Sequence, residues 1–181
     1  LGYKVGSMPE QPLTGHNCPG DPCTIVIFGA SGDLTKRKLL PALYNLKVLR
    51  LLPQDFSVIG VAVTDGDDES FRTQMTSDIN EFATRPVDKD EWEDFRKRSY
   101  YLQGDFNSPE TFQKLSAKIA EAQTTWKLPG NVLFYLAISP SFFSKVIEQL
   151  DAASLTKQEA AAWRRVIIEK PFGHDLASSR A

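Results

Sequence analysis

The run Thr24-Ile25-Val26-Ile27-Phe28-Gly29-Ala30-Ser31-Gly32-Asp33-Leu34 leaves this chain few folds to choose from. Its first half is β-branched or apolar without a break, so it reads as a strand buried on both faces. Two glycines follow, and then a stretch with helical spacing. A buried strand that hands a glycine turn to a helix N-terminus builds a parallel α/β sheet. It also builds a cradle for an anion, usually a nucleotide pyrophosphate.

The same alternation continues downstream. Strands are predicted over 23–28, 56–63, 100–103, 131–138 and 165–169. The first helix opens near Gly32 or Asp33 and carries an apolar stripe at Leu39, Leu43 and Leu46, with Pro41 marking a kink or a second start. The acids of 65–69 cap a second helix, whose core face is Phe71, Met75, Ile79 and Phe82. A short helix over 90–98 carries Trp92 and Phe95. Ser108 caps another that starts at Pro109 and buries Phe112, Leu115 and Ile119. Ser139-Pro140 repeats that device before a helix to about 150, and a short helix is predicted over 156–163. Alternating strands and helices specify a doubly wound, Rossmann-type parallel sheet with helices on both faces and ligands at the carboxyl ends of the strands. Residues 1–22 read as a flexible leader, with Met8 as the native start and 1–7 an expression remnant. Residues 23–181 form the dinucleotide-binding domain.

Composition excludes several classes. With 181 residues, 41% hydrophobic and 24% charged, the chain has the make-up of one soluble domain. A net charge of -2 gives no electrostatic case for nucleic acid. No apolar run is long enough to span a bilayer, and no signal peptide is visible, so a cytoplasmic enzyme or binding domain is expected. Cys18 and Cys23 lack the companions of a zinc site. They read as reduced thiols, with a regulatory disulfide as the alternative.

In the turn, Gly29 leaves the strand where a side chain would block phosphates, Gly32 lets backbone approach the ligand, and Ser31 and free N–H groups donate. The spacing is G-x-x-G-D-L, neither G-x-G-x-x-G nor a Walker loop, and a turn without ligand is the alternative. Asp33 reads as a capping carboxylate or a coenzyme contact. At the tip of the second strand, a carboxylate would take a ribose 2′-OH and a cation a 2′-phosphate. Val63 can do neither, Thr64 serves either, and Asp65 favours NAD if it points inward. Lys36 and Arg37 are candidate 2′-phosphate cations or a solvated helix face. The fifth strand ends in Glu169-Lys170-Pro171-Phe172-Gly173, which either sends Lys170 into the ligand cleft or leaves it an ordinary surface lysine at a strand end. His174 reads as a surface residue, with a general base as the alternative.

Together, Gly29 to Leu34, Lys36-Arg37-Lys38-Leu39, Pro41-Ala42-Leu43, Phe134-Tyr135-Leu136-Ala137 and Ile167 to Gly173 resemble the glucose-6-phosphate dehydrogenases over about 23–181. The resemblance implies the N-terminal coenzyme domain of an enzyme that oxidises glucose 6-phosphate to 6-phosphogluconolactone with hydride transfer to NADP. It implies that Gly29, Ala30, Ser31, Gly32, Asp33, Leu34, Lys36, Thr64, Phe143 and Lys170 face the coenzyme, and that Lys170 also reaches substrate. Family members usually carry an arginine where Val63 stands, which leaves NAD possible, and many carry a tyrosine where Phe143 stands. The family's histidine base and its substrate domain, through which members usually oligomerise, would lie beyond Ala181. The 181-residue chain is therefore expected to bind coenzyme without turnover. Two alternatives stand beside this reading. One is an enzyme of the glucose–fructose oxidoreductase type, which the G-A-S-G-D-L turn disfavours. The other is a non-enzymatic dinucleotide sensor.

Overall fold

Five strands, β1 Cys23–Phe28, β2 Phe56–Ala62, β3 Ser99–Gln103, β4 Val132–Leu136 and β5 Arg164–Ile168, run parallel in the order β3-β2-β1-β4-β5. They are seen in a computed structural model that describes residues 19–158 and 161–169. Every residue of β1 and β2 is buried, as their unbroken apolar runs require. Alternate residues feed two cores. Ile25, Ile27 and Val58 face α1 (Leu40–Val48), α2 (Asp68–Phe82) and α3 (Lys89–Lys97). Val26, Phe28 and Val61 face α4 (Pro109–Trp126) and α5 (Phe143–Ala152). Helices thus cover both sheet faces, and the chain reverses direction across the sheet between β1 and β4.

The first helix is more complex than its spacing suggests. A π-helical turn, Thr35–Leu39, precedes α1, and the Leu40 amide bonds to the Thr35 carbonyl five residues back. Pro41, second in α1, has no N–H to give to either the α or the π register, so the register changes there without losing a bond. The extra residue turns the helix by about one position. The buried stripe of α1 becomes Leu40, Tyr44 and Lys47, while Leu46 is exposed. This corrects the predicted stripe: Leu39 and Leu43 pack only at its margin.

Asp67 caps α2 through a reciprocal pair. Its carboxylate accepts from the Ser70 amide, and the Ser70 hydroxyl accepts from the Asp67 amide, each at 2.8 Å. Pro109 is first in α4 as predicted, and the stripe Phe112, Leu115 and Ile119 is buried. Ser108 holds the N-cap position, but its side chain makes no capping bond. Ser139 likewise precedes a short 3-10 turn, Pro140–Phe142, without capping it.

The helix predicted over 156–163 is not seen among the described residues of that stretch. The Trp163 amide donates to the Asn131 side-chain oxygen (2.9 Å), and its carbonyl accepts from the Val132 amide (3.0 Å). These bonds pull the segment out alongside the start of β4, and sheet pairing overrides the local spacing. The leader lies outside the described residues up to position 18.

Candidate functional site

The glycine turn sits where β1 leaves the sheet, beside the end of β4, at the reversal of strand order where α/β sheets take their ligands. Gly29 has φ of +85°, and a Cβ there would lie 2.2 Å from the Ala137 carbonyl oxygen. Only glycine fits, because the conformation and the neighbouring backbone both exclude a side chain. The Gly29 and Ala30 amides donate to the Val61 carbonyl (2.8 and 3.2 Å), and the Gly32 amide donates to the Gly29 carbonyl (2.9 Å). The Thr35 hydroxyl closes the turn on the same Gly29 oxygen (3.1 Å). The turn is thus held from within. That narrows its donors for an anion to the Ser31 hydroxyl and the amides of Ser31, Asp33 and Leu34 at the helix opening. Gly60 on β2 gives the turn room: a Cβ there would lie 2.7 Å from both the Ala30 Cβ and the Phe71 ring.

A cleft of about 240 Å³ opens beside the turn, between the π-helical turn and α2. Ser31, Lys36, Thr64, Asp65 and Gly66 line it along with apolar residues such as Leu40 and Phe71. The Thr64 hydroxyl donates to the Ser31 hydroxyl at 3.0 Å and ties the tip of β2 to the glycine turn. The Tyr101 hydroxyl donates to the Thr64 carbonyl at 2.5 Å and fixes the loop from β3. Burial first, and then the Asp65 charge, hold the Tyr101 phenol above its ordinary range, so it stays a donor. Ser31, Lys36 and Thr64 therefore meet at one cleft.

Other expected residues are placed differently. Asp33 does not cap. Its carboxylate, largely exposed, accepts from the Arg37 guanidinium at 2.6 Å, a helical i,i+4 pair. Arg37 also lies over the Phe82 ring, 4.9 Å from its centre, so of the two candidate cations only Lys36 lines the cleft. Val63 follows β2 with 63% of its surface exposed. The Asp65 carboxylate accepts from the Gln103 side-chain amide. Phe143 opens α5 and packs at the margin of the α4–α5 core, outside the cleft lining. Cys23 is a buried free thiol, pushed up to about 11 chiefly by burial. Cys18, Lys170, Pro171, Gly173 and His174 lie outside the described residues.

Two features went unread in the sequence. The Tyr135 hydroxyl donates to the Glu169 carboxylate just past β5, and burial followed by this contact pushes the phenol up to about 12. Tyr135 and Ile167 are register partners, which is the clue that alternation on paired parallel strands offers. Gln103 ends β3 opposite Ala62, a position that points to the β2 tip once the strand order is known.

The family model described as "Glucose-6-phosphate dehydrogenase, NAD binding domain" matches residues 26–181. The chain belongs to this family. It is 40% identical over 176 residues to a glucose-6-phosphate 1-dehydrogenase of Chlamydia pneumoniae, covering 94% of this chain and 34% of that protein. It is 43% identical over 161 residues to that of Aggregatibacter actinomycetemcomitans, covering 88% and 32%. A solved glucose-6-phosphate dehydrogenase in complex with its substrate glucose-6-phosphate superposes with a TM-score of 0.76 at 33% identity, covering 88% of this chain and 32% of that one. The chain thus spans about a third of the length of the glucose-6-phosphate dehydrogenases it matches. Membership in that family displaces the alternative of the glucose–fructose oxidoreductase type. Among the described residues no helix is long and apolar enough to cross a membrane.

Proposed function

We propose that this chain is the coenzyme-binding part of an NADP-dependent glucose-6-phosphate dehydrogenase, with NAD as a weaker alternative. The single observation that carries the reading is the meeting of Ser31, Thr64 and Lys36 at one cleft mouth, beside a turn in which only glycine fits at position 29. The residues suit a 2′-phosphorylated dinucleotide. The helix opening and Ser31 offer donors to the pyrophosphate, and Thr64 and Lys36 offer a hydroxyl and an ammonium to the 2′-phosphate. Bound coenzyme would supply the hydride acceptor. Lys170, which follows Glu169 in the sequence, is the residue assigned in this reading to the nicotinamide end and the sugar phosphate, and the Tyr135–Glu169 contact fixes the chain immediately before it. Gly29, Ala30, Gly32, Asp33 and Leu34 shape the phosphate cradle.

In this reading the whole enzyme oxidises glucose 6-phosphate to 6-phosphogluconolactone, the first step of the pentose phosphate pathway, in the cytoplasm and as a homo-oligomer. Removing hydride from a hydroxyl-bearing carbon also needs a base for the hydroxyl proton. No histidine–carboxylate pair suited to that task was recognised in the sequence, so the 181-residue chain binds coenzyme without turnover.

Calorimetric titration with NADP and NAD side by side tests the reading. NADP is expected to bind more tightly, and Lys36→Ala is expected to weaken NADP about tenfold while changing NAD little, as one lost charge-assisted contact predicts. Equal affinity for the two coenzymes would remove Lys36 as a 2′-phosphate partner. NADPH formed on adding glucose 6-phosphate to this chain would refute the absence of turnover.

A further inference from the structure

Within the cleft lining, Lys36 is the cation, and two acidic residues, Asp65 and Asp78, line the same cleft. The Gln74 side-chain amide holds Asp78 at 2.8 Å, deep between the helices. Asp65 is the nearer concern, because it follows Thr64 at the cleft mouth. The backbone there has little freedom. Tyr101 pins the Thr64 carbonyl, Thr64 is tied to Ser31, and the capping pair of Asp67 and Ser70 begins two residues later. What remains free at Asp65 is its side chain, and the Gln103 amide decides where that points, by holding the carboxylate against the end of β3. Val63 leaves this rim without a guanidinium. The charge met by a ribose 2′ substituent is then the balance between Lys36 and Asp65.

We infer that Gln103 is a specificity-determining positioning residue. By tethering Asp65 to β3, it keeps a carboxylate away from the 2′ position and leaves that position to Lys36 and the two hydroxyls. The inference rests on the coenzyme reading above. An untethered Asp65 swings to the cleft mouth, accepts from a ribose 2′-OH and repels a 2′-phosphate, so losing the tether moves preference from NADP toward NAD. Gln103 touches neither coenzyme, and its effect passes wholly through Asp65.

The test compares dissociation constants for NADP and NAD in the unmodified chain, Gln103→Met, and the double variant Gln103→Met/Asp65→Asn. Methionine keeps the length of glutamine and removes the donor, at an exposed position on a strand end. Gln103→Met is expected to lower the preference for NADP over NAD by about tenfold, the scale of one carboxylate brought near a phosphate through water-rich surroundings. Asp65→Asn in that background is expected to restore the preference. Raising salt to about 0.5 M is expected to shrink the shift, as screening requires and a purely structural effect would not show. An unchanged ratio in Gln103→Met, equal weakening of both coenzymes, or no restoration by Asp65→Asn would each overturn the inference while leaving the coenzyme reading in place. An unmodified chain that takes up neither coenzyme would overturn that reading and this inference with it.

Discussion

At Gly29 two independent constraints fall on one atom. The backbone sits at φ +85°, where an L side chain costs about 1–2 kcal/mol, and the missing Cβ leaves room for the Ala137 carbonyl 2.2 Å away. Because that carbonyl belongs to backbone beside β4, Gly29→Ala has to push the turn off the sheet. The expected cost is about 3 kcal/mol, which for a chain of this size lowers the thermal midpoint by roughly 6–12 °C in a calorimetric scan. A midpoint within a degree or two of the unmodified chain would refute the constraint. This much was legible in sequence, since a glycine at a strand-to-helix turn has few other uses. The role of Asp33 was not. An acid at a helix opening reads equally as a cap or as half of an i,i+4 pair, and only the orientation of Arg37 decides between them.

At the scale of the elements, the π-helical turn before Pro41 has the widest consequence. It rotates α1 so that Lys47, a polar residue with no place in an apolar stripe, is buried between α1 and α3. There its ammonium meets Glu91 and, at 3.1 Å, Asp94. No hydropathy count finds such a residue, because the count assumes an unbroken helical phase. Burial raises the Asp94 carboxyl, but bonds from Lys97 and Lys47 and the Arg98 charge outweigh it and hold the group at about 2. Glu91 is lowered too, first by the Lys47 bond. Both groups are depressed in the folded state, so their stabilisation is present above the ordinary carboxylate range and is lost as pH falls toward 2. Lys47→Met keeps the packing and removes the charge. It is expected to cost about 1 kcal/mol at pH 7, a discounted figure because Arg50, Lys97 and Arg98 remain. Denaturant titrations of both proteins should show that difference closing between about pH 4 and pH 2. A difference independent of pH would mean that Lys47 acts through packing alone.

For the molecule as a whole, the parallel sheet and its two covered faces followed from the buried runs of β1 and β2, because strands buried on both faces belong to a sheet covered on both sides. The segment before β5 did not follow, because its conformation is set by Asn131, some thirty residues earlier in the chain. Coenzyme choice was open for a related reason. In the coenzyme reading proposed above it turns on where Asp65 points, and its partner Gln103 is brought to it by tertiary placement and not by any motif. The central claim, that the glycine turn and the tip of β2 together receive a dinucleotide, is open to a direct test. Amide-resolved NMR titration of the chain with NADP is predicted to move the signals of Ser31 to Lys36 and of Thr64 to Gly66 together, along one saturation curve, while those of α3 stay in place. Unmoved signals at the glycine turn, or a saturable response centred elsewhere on the sheet, would contradict it.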